Sequence, residues 1–408
     1  MNGRLVIMGS GETAPTMVEV HRATLRAAGE GPSLLLDTPY GFQENADDIT
    51  EKAVAYFARN VGAAVTPLVW RTRLAGGDLD RALTAMRTAR SVFAGPGSPT
   101  YALRVWADTG FDDALAAVAA SGGTVTFASA AALTIGVATV PVYEIYKSGA
   151  DPAWAAGTNL LERLTGLRAA LIPHYDNTEG GTHSTRFCYL GERRLRMLEG
   201  ELPAGAHVIG VDEHTALVFD LATGMASVLG NGTVTIRHDG ESRVLSVGTV
   251  VPIADLAARA EGGPARDAVA EAEPAGAPAT SLRTATDRAR AVFDAALATR
   301  DADAAAAAVL ELEQAIADWT ADTLQSDDGN HARRTLRGMV LELADAARDG
   351  LADPAARLAP LVDALIERRT AARDARDFAT ADTLRDRLTA AGVEVRDSPS
   401  GVEWSLRR

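Results

Sequence analysis

Over residues 1–255 the sequence alternates short apolar, β-branched runs with stretches of helical spacing, and few architectures accept that alternation. The runs are "RLVIMG" (4–9), "SLLLDTP" (33–39), "AAVTPLVW" (63–70), "SVFAGPG" (91–97), "TVTFAS" (124–129) and "AALIPHY" (169–175). Several are apolar at consecutive positions, as strands buried on both faces of a parallel sheet must be. Segments such as "DLDRALTAMRTA" and "FDDALAAVAASGG" space their apolar residues three and four apart, and the second ends on glycines, a common helix stop. Strand, helix, strand in series predicts a doubly wound, mostly parallel α/β sheet. "HVIGVDEHTALVFD", "MASVLGNG" and "TVTIRHDGESRVLSVG" follow. Their alternation and the "GNG" turn predict antiparallel hairpins at one edge.

The pattern stops near residue 256. Residues 256–282 are rich in Pro, Ala and Gly without an apolar period, and read as a linker. Residues 283–408 read as an all-α module of alanine-rich helices with interleaved Arg and Asp, ending in an extended tail, "VEVRDSPSGVEWSL". The net charge of -14 argues against a uniformly basic face for nucleic acid. The one cysteine, Cys188, permits no disulfide within the chain, which fits a reducing cytoplasm. No run of about 18 apolar residues is present, so no membrane span is expected. The first apolar run stops at Gly9 and reads as a strand rather than a signal peptide.

In an α/β sheet, ligands gather at the carboxyl ends of strands, and four motifs fall there. "TVTFASAAALTIG" (124–136) puts Ser129 at a strand-to-helix turn among alanines. Such a turn presents a nucleophile, and small neighbours are what it needs; tight packing of a strand end on a helix needs them too. "LIPHYDNTEGGTH" places His174 just after a strand, within reach of a serine as general base. His174, Asp176 and His183 are also metal-ligand types, but their spacing matches no zinc pattern, and no metal is expected. "VIGVDEHTALVFD" supplies Asp212 and Glu213, either of which would orient a histidine. "FAGPGSPTYALR" places Gly95 and Gly97 before a helix that should begin near Ser98, where exposed N–H groups can bind an anion. "MGSGETAP" (8–15) is a similar turn after the first strand; without full G-x-G-x-x-G spacing it shapes the pocket floor.

Taken in chain order, the glycine turn, serine turn, "PHY" turn and "GVDE-TAL" strand pair resemble the S51 peptidase family, which contains dipeptidase E and cyanophycinase. The resemblance covers residues 3–240. The family's G-T-S-A-G-A elbow aligns with "FASAAA" at Ser129 and Ala130, its "P-H-Y/F" turn with Pro173-His174-Tyr175, and its "G-x-D/R-E-x-T/S-A-L" segment with Glu213. Its oxyanion glycine turn aligns with "GPGS" at Gly97, and its Arg-rich helix with "STRFCYLGERRLRML". The resemblance implies a fold like class I glutamine amidotransferases and a cofactor-free serine hydrolase acting on a small peptide or amide. It implies Ser129 as nucleophile, His174 as base, Glu213 as orienter, and the Gly97 and Ala130 N–H groups as oxyanion donors. Arg186 is a candidate for pairing with a substrate carboxylate. Both elbow glycines are alanine here, and Pro96 interrupts the glycine turn. A ligand-binding member with reduced catalysis is the alternative.

The tail "LIERRTAARDARDFATADTLRDRLTAAGVEVRDSPSGVEW", Leu365 to Trp404, looks like the C-terminal end of cysteinyl-tRNA synthetases. That resemblance implies tRNA contact, with Arg368, Arg369, Arg373, Arg376, Arg385 and Arg387 as phosphate candidates. Interleaved with them are Asp363, Glu367, Asp374, Asp377, Asp382 and Asp386, so docking or homo-oligomerisation is the stronger expectation. Phe378 and Leu384 are expected in a helical core, capped by Trp404. The H-I-G-H and K-M-S-K-S signatures are absent, and the chain has two lysines, so the whole chain does not read as a synthetase.

Overall fold

The structure, a computed structural model, describes residues 2–177, 184–258, 281–319, 328–349, 354–398 and 401–407. These form two compact units, residues 1–282 with 316–329, and 283–315 with 330–408. Most of the expected linker, residues 259–280, lies outside the described residues, as does His183.

The first unit is α/β. Its strands are β1 Arg4–Met8, β2 Ser33–Leu36, β3 Thr66–Leu68, β4 Ser91–Ala94, β5 Thr124–Ala128, β6 Ala138–Thr139, β7 Ala155–Ala156 and β8 Ala169–Ile172. The later ones are β9 His207–Val211, β10 Thr215–Asp220, β11 Met225–Gly230, β12 Thr233–His238, β13 Glu241–Ser246 and β14 Val250–Pro252. Its helices are α1 Val18–Ala28, α2 Ala46–Tyr56, α3 Gly76–Thr88, α4 Pro99–Trp106, α5 Phe111–Ala120, α6 Ser129–Thr134, α7 Val142–Tyr146, α8 Leu160–Thr165 and α9 Gly191–Glu199.

The main sheet has eight strands in the order β14-β11-β10-β1-β5-β4-β2-β3. From β1 to β3 it is parallel; β10, β11 and β14 add an antiparallel edge. The consecutive apolar residues have a direct cause. On β1, Leu5 and Ile7 enter the core on one face of the sheet, Val6 and Met8 that on the other. β2 and β4 divide their residues the same way. With helices on both faces, the middle of each of these strands is apolar. Trp106 and Phe111 stack at 4.0 Å on the larger side, and truncating a buried aromatic of this kind costs about 3–5 kcal/mol.

One strand departs from the expected series. β8, the strand before His174, lies in a second sheet, β13-β12-β9-β8, parallel to β9. Both edges of β1 and β5 are already occupied in the main sheet. Crossover helix α9 carries the chain from β8 to β9, so these two pair with each other. The chain does not become linker at residue 256 either: Ile253–Ala257 is a 3-10 turn, and Leu256 is buried in the main core.

The second unit is helical, with α10 Leu282–Thr299, α11 Ala302–Asp318, α12 Asp328–Asp349, α13 Pro354–Asp374 and α14 Phe378–Ala390. Arg290 ties α10 to α12 through two hydrogen bonds to Glu342, 2.8 and 2.7 Å. The extended tail is a hairpin, β15 Val393–Ser398 with β16 Gly401–Leu406. It packs on Val362, Ile366 and Leu388 with Trp404 over them, the indole N–H donating to Asp363 at 2.8 Å. Phe378 does not reach that core: it is 61% exposed. It is the first residue of α14, whose inward face begins one turn later at Ala381. Among the described helices, none is long and apolar enough to cross a membrane.

Candidate active site

The turns after β5, β8 and β9 converge. Ser129 Oγ lies 2.9 Å from His174 Nε2, and His174 Nδ1 lies 2.8 Å from Glu213 Oε1. Burial works to raise the Glu213 pKa, but the hydrogen bond and charge of His174 and the amide of Asn177 outweigh it, and the net shift is down. An ionised Glu213 can only accept, so His174 carries its proton on Nδ1 and offers the Nε2 lone pair to the serine hydroxyl.

The serine turn is sharp without glycine. Ser129 itself takes the left-handed conformation, φ +50°, while Ala128 before it is extended at φ -123°, ψ 151°. The flanking alanines therefore occupy ordinary backbone regions, and the unfavourable conformation falls on the serine. His174 is also left-handed, φ +49°. Left-handed non-glycine residues cost about 1–3 kcal/mol each and collect at functional sites. Ala130 is in the first turn of α6, where an N–H has no intrahelical acceptor. The neighbouring Ala131 N–H donates to the Gly95 carbonyl at 3.1 Å, which joins the glycine turn to the serine turn. Gly97 has φ +138°, and a Cβ there would stand 2.0 Å from the Pro39 carbonyl oxygen, so only glycine fits. Ser98 caps α4, accepting from the Tyr101 N–H at 3.2 Å.

The acidic pair divides its work. Glu213 faces His174, whereas Asp212 accepts from the N–H and hydroxyl of Thr233, at 2.8 and 2.6 Å, and holds β9 to the start of β12. Two members of the site were not given these roles from sequence: Asn177 was not singled out, and Asp176 was named only as a metal-ligand type. Asn177 donates to Glu213 Oε1 at 3.0 Å, and Asp176 accepts the Glu213 N–H at 2.8 Å. Both follow His174 within three residues, in a stretch rich enough in polar side chains that position alone did not mark these roles. Asp176 is pushed up to about 6, chiefly by burial. Cys188 is buried and its thiol is pushed up to about 12, first by burial and then by Glu213, which leaves it a poor nucleophile. Arg186 is exposed, its guanidinium 4.8 Å from the Phe187 ring centre. No group of three metal-ligand side chains gathers among the described residues.

In the helical unit, the arginines sort by partner. Arg369 is buried and makes two hydrogen bonds to Asp397, 2.8 and 2.9 Å, and Arg373 joins the same carboxylate at 2.5 Å. Arg369 is thereby not free to meet a phosphate, whereas the Arg373 side chain is half-exposed. Asp377 caps α14 through the Thr380 N–H, 3.1 Å.

A family model described as the cysteinyl-tRNA ligase anticodon binding domain matches residues 355–404. The chain is 58% identical over 45 residues to a cysteine–tRNA ligase of Nitratidesulfovibrio vulgaris, which is 11% of this chain and 9% of the ligase. It is 39% identical over 113 residues to that of Beutenbergia cavernae, 25% of this chain and 23% of the ligase. The chain thus spans from about a tenth to a quarter of the length of these two ligases. Among solved structures, a peptidase from an acI-B1 Actinobacterium superposes with a TM-score of 0.50 at 21% identity, covering 62% of this chain and 97% of that one. The first unit has a peptidase-like fold; the end of the second is similar to cysteine–tRNA ligases.

Proposed function

We propose that the first unit is a serine hydrolase of the S51 peptidase type that cleaves a small peptide or amide through an acyl-enzyme. The observation that carries the reading is the hydrogen-bonded series Ser129–His174–Glu213, with the serine on a left-handed turn. Ser129 Oγ attacks the carbonyl carbon while His174 Nε2 takes its proton, and Glu213 stabilises the resulting imidazolium. The oxyanion meets the Ala130 and Gly97 N–H groups. The C–N bond breaks as His174 returns the proton to the leaving amine. Water, deprotonated by His174, then releases the acid and restores Ser129. Arg186 is the proposed partner for a substrate carboxylate.

A fluorophosphonate probe tests this. We expect covalent labelling of the full chain that disappears in Ser129→Ala and slows by about 10²- to 10⁴-fold in His174→Ala. An unlabelled wild-type chain, or one labelled equally well without Ser129, would leave a ligand-binding protein on a hydrolase fold.

A second activity is proposed for the helical unit, favoured by the match at residues 355–404 and by exposed Phe378 near Arg376. An exposed aromatic ring two positions from an arginine in the chain suits stacking on an unpaired base. Binding of tRNA should weaken steeply with salt and weaken further in Phe378→Ala. Salt-independent binding, or none at low salt, removes this reading and leaves docking or self-association.

A further inference from the structure

Glu12, in the turn after β1, has no part in the proposed reaction, yet its setting is unusual. It is almost wholly buried, and its Oε1 has no hydrogen-bond partner; nor does the Oγ of Ser10, two residues before it. Buried polar atoms are overwhelmingly paired, so two orphans in one turn call for a cause. β1 lies beside β5, and β5 beside β4. From the end of β1 the Glu12 side chain reaches the glycine turn at the end of β4: a Cβ on Gly95 would stand 3.2 Å from Glu12 Oε1. The strand between them ends at Ala128, just before Ser129, and the Gly95 carbonyl accepts the Ala131 N–H. The Glu12 carboxyl thus lies against the Gly95 turn, which precedes one of the proposed oxyanion donors and is hydrogen-bonded to the serine turn that carries the other.

Three titratable groups surround it. His21 of α1 donates from Nε2 to the Glu12 carbonyl oxygen at 2.6 Å, and burial pushes that histidine down to about 4, so it is neutral. His174 acts on Glu12 through its charge, and the His214 ring packs on Gly11 next door. The β4 turn and the start of α6 contribute no titratable side chain. Burial, the largest influence, pushes the Glu12 carboxyl up, against its own backbone N–H and His174.

We propose that Glu12 is a positioning residue that serves this site only as a neutral acid. The inference rests on the serine-hydrolase reading. As an acid, Glu12 packs on the Gly95 turn without competing for the oxyanion donors. Ionised, it sets a negative charge beside the forming oxyanion and strengthens the hold of His174 on its proton, and both effects oppose acyl transfer.

The test is the rate of fluorophosphonate labelling of the full chain against pH. Wild type should fall about tenfold per pH unit once Glu12 ionises, and Glu12→Gln should not fall. Parallel falls in the two proteins overturn the inference while Ser129-dependent labelling keeps the hydrolase reading. Infrared spectra of wild type carrying ¹³C-glutamate read the same group without any variant or activity. A protonated-carboxyl band should persist at neutral pH and vanish over the pH range in which labelling fails. Absence of that band at neutral pH overturns the inference, whatever the fate of the hydrolase reading.

Discussion

Ser129 holds a backbone conformation that a serine among alanines has no local reason to adopt. Its φ of +50° is imposed by β5 behind it and α6 ahead, and it aims the hydroxyl at His174. That strain gives a direct prediction. Ser129→Gly should raise the stability of the first unit by about 1 kcal/mol, because glycine takes this φ freely, and should abolish probe labelling. A lower thermal midpoint in the variant would show that the turn is not strained. The residues of the site were legible as types in order: serine after a strand, histidine after a strand, acid after a strand. The choice between Asp212 and Glu213 was made from sequence only through family resemblance. The structure supplies the physical reason, since the strand pairing of β9 with β12 brings Thr233 to Asp212 and leaves Glu213 facing the histidine.

Period and residue type marked every strand of the main sheet's parallel half; in β1, β2, β4 and β5 burial on both faces leaves an apolar run, whereas the edge strand β3 is largely exposed. They did not mark which sheet β8 joins. An ion cluster helps hold that second sheet to α9. Arg237 on β12 pairs with Glu192 and Glu199, at 2.9 and 2.8 Å, with the Arg237 and Glu199 side chains each 4% exposed. Arg237 is three strands away from its partners in the reading of the sequence, and "TVTIRHDG" looks like any half-exposed hairpin strand. Breaking one member strands a buried charge. Arg237→Met should cost about 3–5 kcal/mol in urea unfolding, and Arg237→Met with Glu199→Met should recover most of it. A single variant that loses under about 1 kcal/mol would place the cluster among exposed pairs of little consequence. In the helical unit, Phe378 shows the same limit: the spacing from 378 to 381 and 388 fits one helix face, but the end of a helix can run past the core it packs on.

Across the whole molecule, buried titratable groups pull stability in opposite directions. His21 and His207, each pushed down to about 4 mainly by burial, stay neutral in the fold and protonate on unfolding, so stability is lost as pH falls from about 6.5 towards 4. Asp112 and Asp176, pushed up to about 6 by burial, hold protons that the unfolded chain releases, and their contribution is lost as pH rises through about 6. Glu12, pushed up by burial, acts in the same sense as these acids. The stability of Glu12→Gln relative to wild type should therefore grow with pH above about 5, by about 1.4 kcal/mol per unit. A difference that does not change with pH would mean that Glu12 ionises in the fold as it does in the unfolded chain. The sequence by itself determined the parallel α/β sheet, the change to a helical unit and the three turns able to carry a nucleophile, a base and an acid. Those properties depend on local period, chain order and residue type. Tertiary structure alone decided that Ser129 rather than a glycine takes the left-handed turn, that Arg369 is committed to Asp397, and that a carboxyl from the first turn lies against the Gly95 turn. Each depends on which strand ends become neighbours, and competition for sheet edges between segments far apart in the chain settles that.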